Sequence, residues 1–251
     1  MEIENQLAIV TGGAAETGRA IAHRLGSEGC VVLVADVDVA RGGSTAQEIR
    51  EAGGRAEFVR VDLRVPADVH HLFAAAETFG RPAILVNNAG GWGRGASYPA
   101  AQPEEWRATL EMNLLGPMLA TQLAVERMGR TGGAIVNVAS IAGATFDAYA
   151  SPEYAVGKAG LIRLTTSLAD LDRRCGVRVN CLVPDWIGTD RAHRELAAMT
   201  PEQRAAAPPL IPLRSITDAV VECIRDEQLA GRVLLLFGEE PPRLLDSDLR
   251  L

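Results

Sequence analysis

Asn113, Ser140, Tyr154 and Lys158 are the residues whose types and spacing could do chemistry. Tyr154 and Lys158 stand four apart in a stretch that reads as helix, so both side chains project from one face. An ammonium beside a phenol favours the phenolate and lowers the tyrosine pKa toward working pH. Such a pair could remove a proton from an alcohol or return one. Ser140 ends a short apolar run, Ala134-Ile135-Val136-Asn137-Val138-Ala139, that reads as a buried strand. A hydroxyl at the C-terminal end of that strand can hydrogen-bond the same substrate oxygen. By itself a Tyr-x-x-x-Lys pair is also an ordinary helix-surface pair, and its surroundings must decide.

Those surroundings begin at the N-terminal end. Leu7-Ala8-Ile9-Val10 is a short apolar strand, broken by Thr11-Gly12-Gly13. Ala14-Ala15-Glu16-Thr17-Gly18-Arg19 then opens a helix that continues through Ile21, Ala22 and Leu25. Strand, glycine turn and helix N-terminus form a dinucleotide phosphate site, because free amides and the positive helix end face the pyrophosphate. The next strand, Val31-Val32-Leu33-Val34-Ala35, ends at Asp36, 18 residues past Gly18. A carboxylate there can take both hydroxyls of the adenine ribose. It would repel a 2′-phosphate, and Val37 offers that phosphate no arginine, so NAD is expected over NADP.

Strand patterns fall near 7–11, 31–36, 57–62, 83–87, 133–139, 177–183 and 232–237, with helical patterns between them. This alternation predicts an α/β, Rossmann-type doubly wound parallel sheet with helices on both faces. Right-handed crossovers give seven strands in the order 3-2-1-4-5-6-7. A single dinucleotide-binding and catalytic domain over 1–251 is expected. Within it, 188–216 is proline-rich around a short helical pattern, Ala192 to Met199. It follows the sixth strand and is expected to be a substrate lid.

With these residues in order, from Leu7 to about Phe237, the chain resembles the short-chain dehydrogenase/reductase family. The resemblance adds Asp62-Leu63 after strand three, Asn87-Asn88-Ala89-Gly90 after strand four, and Pro184 with Ile187 and Thr189 after strand six. It implies that Tyr154 is the acid/base and that Lys158 tunes it while holding the nicotinamide ribose. Ser140 would orient the substrate oxygen and Asn113 a water joining Lys158 to solvent. It also implies cofactor contacts from Gly12, Thr17, Gly18, Asp36, Asp62, Leu63, Asn88, Ala89, Gly90, Tyr154, Lys158, Pro184, Ile187 and Thr189.

Three departures from the family pattern stand out. Glu16 replaces the middle glycine of the turn, which normally lets backbone approach the pyrophosphate. At roughly 6 Å, with an effective dielectric between about 20 and 80, its repulsion is about 0.7 to 3 kcal/mol per charge pair. That figure falls away if Glu16 turns outward or pairs with Arg19. Asp185 stands where the family usually has glycine after Pro184, close to the expected nicotinamide position, where it would favour the cationic oxidised ring or face solvent. The C-terminal Leu236-Phe237-Gly238-Glu239-Glu240-Pro241-Pro242 differs from the family's Val-Asp-Gly-Gly, so the oligomer, a dimer or tetramer, stays open.

Composition fits this reading. The 251 residues are 47% hydrophobic, enough for a large core. A formal charge of −7 gives no attraction to nucleic acid or anionic membrane. The acidic Met1-Glu2-Ile3-Glu4 lacks the basic start of a signal peptide, and no apolar run nears the roughly 20 residues of a membrane span. A cytoplasmic protein is expected. Cys30, Cys175, Cys181 and Cys223 are scattered, the four histidines form no zinc-like spacing, and no metal is expected.

Chemically, these residues fit transfer of a hydride between a nicotinamide and a secondary alcohol or ketone. A non-catalytic dinucleotide sensor or scaffold is the alternative, favoured only by Glu16 and Asp185. A lyase or epimerase would need a larger substrate domain. Trp92, Phe146, Tyr149 and Trp186 are candidate pocket walls for a cyclic or apolar substrate, and equally could be core.

Overall fold

The computed structural model describes residues 1–93 and 95–245; Arg94 and 246–251, which the expected domain includes, lie outside the described residues. Among the described residues eight strands form one sheet in the order β3-β2-β1-β4-β5-β6-β7-β8. They are β1 Leu7–Thr11, β2 Val31–Asp36, β3 Arg55–Arg60, β4 Pro82–Asn87, β5 Gly133–Val138, β6 Val177–Pro184, β7 Val233–Leu236 and β8 Arg243–Leu244. The first seven are parallel and lie in the expected order. The eighth is an addition: it pairs antiparallel with β7, Leu234 opposite Leu244. Two exposed residues are too short a segment for hydropathy to mark as a strand.

Alternation along β1 shows how the layers form. Ala8 and Val10 face one core with Ile21 and Leu25 of α1 (Glu16–Ser27), Ile49 of α2 (Val39–Glu51), and Ile216 and Val220 of α10 (Leu213–Arg225). Leu7 and Ile9 face the other, with Leu72 and Phe73 of α3 (Pro66–Glu77) and Leu123 and Met128 of α5 (Gly116–Met128). A central strand apolar on both faces can only be covered twice, which is what helices on both sides do. Cys30 and Cys223 sit in the first of these cores, and Cys181 in a smaller cluster with Leu161 and Val183, all as small hydrophobes.

Two details position the site. α4 (Pro103–Leu110) runs into α5 through a π-helical turn, Glu111–Leu115, which carries Asn113. Beyond β6 the chain makes an excursion closed at its base by Ile187 pairing with Ile211. Within it lie α8 (Asp190–Ala198), capped by the Thr189 hydroxyl, and α9 (Pro201–Ala206), started by a Thr200–Gln203 capping box. The sequence pattern marks the first of these helices but not the second. Among the described residues no helix is long and apolar enough to cross a membrane.

Candidate active site

The carboxyl ends of the strands open into one cavity of about 840 Å³ at the point where β1 parts from β2 toward β4. A doubly wound sheet binds its ligand at this switch point. Every residue expected to touch the cofactor lines the cavity, from Gly12 and Asp36 at one end to Pro184, Ile187 and Thr189 at the other.

At the phosphate end, Gly12 has φ +67, and a Cβ on it would lie 2.8 Å from the Ala89 Cα. A Cβ on Gly18 would fall 1.9 Å from the Gly12 carbonyl oxygen, so only glycine lets α1 approach the turn. The Thr11 hydroxyl accepts from the amides of Asn88 and Ala89 at 3.1 and 3.2 Å, locking the turn to the end of β4. Asn88 Nδ2 donates to the Thr11 and Gly12 carbonyls. Ala15, the residue capping α1, offers no side-chain hydrogen bond, so the first amides of that helix are left for an anion. Glu16 is exposed and holds φ +50, a glycine-like backbone on a residue with a Cβ. It does not pair with Arg19, which bonds Glu48 instead.

At the adenosine end, the Asp36 carboxylate accepts from the amides of Ala14 and Asp38, both at 3.0 Å. Those bonds aim it across the cavity. Asp62 is engaged by Arg64, whose guanidinium and amide both donate to it and hold its carboxyl below the usual range. Arg64 has no motif around it, so its part in the cavity wall is not legible from sequence.

The reacting end gathers Ser140, Tyr154 and Lys158. Ser140 is extended at the end of β5, and Tyr154 and Lys158 lie on α6 (Pro152–Ser167). Burial pushes the Tyr154 phenol up to about 12, against a downward pull from the Ser140 hydroxyl. Lys158 is 3% exposed, and burial pushes its ammonium down to about 8. This differs from the reading that Lys158 lowers the tyrosine. Its Nζ donates to the Val138 carbonyl at 2.8 Å and lies 5.6 Å from the Tyr154 ring centre, and burial is the largest influence on the phenol.

Asn113 is fully buried outside the cavity wall. It donates to the carbonyls of Gly91 at 2.6 Å and Thr109 at 2.8 Å and accepts from the Gly91 amide at 3.0 Å. Its oxygen and the Lys158 Nζ each lie 2.8 Å from where a Gly90 Cβ would stand, so glycine there leaves room for both.

Trp92, Tyr149 and Trp186 line the cavity, and the Trp92 ring centre is 4.7 Å from that of Tyr154. Phe146 does not: it is 90% exposed. Its proximity to Tyr154 in sequence misled, because the turn Ile141–Gly143 redirects the chain before it. Arg191, on the first turn of α8, sits over the Trp92 ring at 5.8 Å and lines the cavity with Glu195. A single arginine in a loop-to-helix step carries no signal in sequence.

Fold and cavity define a dinucleotide-binding oxidoreductase. The family model described as short chain dehydrogenase matches residues 6–199, and the chain belongs to that family. It is 36% identical to an L-fucose dehydrogenase of Oryctolagus cuniculus over 80% of this chain and 69% of the relative. It is 38% identical to the cis-4-hydroxycyclohexanecarboxylate dehydrogenase of Sinomonas cyclohexanicum over 73% of this chain and 74% of the relative. A crystal structure of an actinorhodin polyketide ketoreductase variant with NADPH superposes with a TM-score of 0.82 at 28% identity, covering 93% of this chain and 96% of that one.

Proposed function

We propose that the protein moves a hydride between NAD and a secondary alcohol or ketone. One observation carries this reading: Tyr154, Ser140 and Lys158 converge at one end of a cavity whose other end is Asp36. The nicotinamide, when bound, supplies the hydride chemistry. Ser140 holds the substrate oxygen and Tyr154 exchanges its proton. The phenol, protonated at neutral pH, is set to donate in the reducing direction. Oxidation needs it to accept, and positive charge brought beside it favours that.

The cofactor preference rests on charge. Glu16, Asp36 and Asp38 are all acidic, and the nearby Arg41 is taken by Asp38 at 2.6 Å. A 2′-phosphate would meet the Asp36 and Glu16 carboxylates, while Arg41 and Arg64 are already paired with Asp38 and Asp62. The known relatives include a structure with NADPH, so the choice of NAD for this chain stands on Asp36 and its neighbours. We further infer a homo-oligomer, which light scattering of the purified protein would test.

The deciding experiment is Tyr154→Phe. NADH binding, followed by fluorescence, should stay within a few-fold while turnover of an alcohol and ketone panel disappears. Retained turnover would sink the reading, since the ring survives and only the proton is lost.

A further inference from the structure

A second cavity of about 490 Å³ opens under α9. It shares Ser140, Tyr149, Asp185 and Trp186 with the cofactor cavity, so the two spaces meet at the hydroxyl that would hold the substrate oxygen. A molecule reacting at Ser140 and Tyr154 can therefore extend its remaining atoms toward Asp185. That carboxylate is half-buried, and burial pushes its pKa up. The Asp185 amide donates to the Leu236 carbonyl, but among the described residues the carboxylate takes no hydrogen bond or ion pair. The nearby cation, Arg191, leans to Glu195 at 3.6 Å instead. The half-exposed carboxylate is open to solvent in the free protein, and a substrate that covers it must supply a donor in place of water.

We infer that Asp185 is a specificity-determining residue that accepts a hydrogen bond from a second hydroxyl of the substrate, so that the substrate is a neutral, hydroxylated ring. This deepens the alcohol dehydrogenase reading and rests on it. The lining carries both signs, Arg191 and Lys158 against Asp185 and Glu195, so neither an ammonium nor a carboxylate finds a field of one sign there, and a neutral donor suits Asp185. The shape selects a ring: Trp92, Tyr149 and Trp186 offer flat apolar surface, while Asp185 and Gln203 supply the few polar points.

The test compares oxidation of cis-cyclohexane-1,2-diol and cyclohexanol by the NAD-loaded enzyme, then by Asp185→Ala and Asp185→Asn. The ratio of the two kcat/KM values is taken within each protein, so a change in folded fraction cancels. The parent should favour the diol about 10-fold or more, the scale of one hydrogen bond to a charged group. Asp185→Ala should bring the ratio to about one, and Asp185→Asn, which keeps an acceptor oxygen without charge, should fall between. A parent ratio near one, a ratio that Asp185→Ala leaves in place, or no diol turnover by a protein that oxidises other secondary alcohols would each overturn the inference. All three leave the dehydrogenase reading standing. Failure of the NADH-binding protein to turn over any alcohol or ketone removes that reading and this inference together.

Discussion

Glu16 shows how one side chain can keep a backbone shape meant for glycine. Its left-handed conformation costs about 1 kcal/mol relative to glycine. Its exposure puts the carboxylate near the water-like end of the dielectric range, so repulsion of a phosphate about 6 Å away is about 0.7 kcal/mol, or roughly 3-fold in affinity. Glu16→Gly should therefore stabilise the free protein by about 1 kcal/mol and tighten NAD about 3-fold, read by urea denaturation and calorimetric titration. Unchanged affinity would place the carboxylate fully in solvent. Asp36 has a different lever. Asp36→Ala with Val37→Arg should move the ratio of NADH to NADPH dissociation constants toward NADPH by about 10-fold or more, as a repelling charge becomes an attracting one. Both residues were legible because a glycine turn and an acid at fixed spacing are local features. Arg64 and Arg191 were not, since their importance lies in what the fold brings to them. The balance of burial and charge at Tyr154 is not legible either, because it depends on distances and burial that spacing on a helix does not give.

Among the elements, the helices and seven parallel strands could be read from periodicity, and what escaped was irregular. The π turn at Glu111–Leu115 has no marker residue, yet it gives Asn113 the reach to hold Gly91. α9 and β8 are short and polar or exposed. The end of α10 depends on a residue far away in sequence: Arg178 of β6 is buried and donates to the carbonyls of Cys223, Ile224, Asp226 and Leu229. A helix C-terminus leaves its last carbonyls unpaired, and a buried cation satisfies them while matching the dipole. Arg178→Met keeps the apolar stem but strands those carbonyls. It should lower unfolding stability by about 2 to 4 kcal/mol, seen as an earlier urea midpoint at similar slope. A loss under 0.5 kcal/mol, roughly the surface-mutation range, would show that solvent takes over the capping.

At the scale of the whole molecule, two cores clamp the sheet, and its carboxyl edge carries the site on strand ends that cannot shift independently. This rigidity lets the fold keep Lys158 buried in an apolar setting. The cost is visible in its pKa of about 8, against 10.5 for an ordinary lysine. Below pH 8 both folded and unfolded chains hold the proton, and the native state bears the full penalty of burying the ammonium. Between 8 and 10.5 the unfolded chain holds more protons than the native one, so stability rises with pH. The penalty removed is about 3 kcal/mol. Lys158→Met escapes it at every pH but loses the hydrogen bond to Val138, about 1 kcal/mol. At pH 7 the variant should therefore be more stable than the parent by about 2 kcal/mol, and less stable by about 1 kcal/mol at pH 10.5. Urea unfolding of both proteins at pH 7, 9 and 10.5 measures the crossing, and taking the difference removes titrations the two share. A difference that stays constant with pH would mean that the ammonium is solvated in the native state, and that the site holds no such strain for a cofactor ribose to relieve.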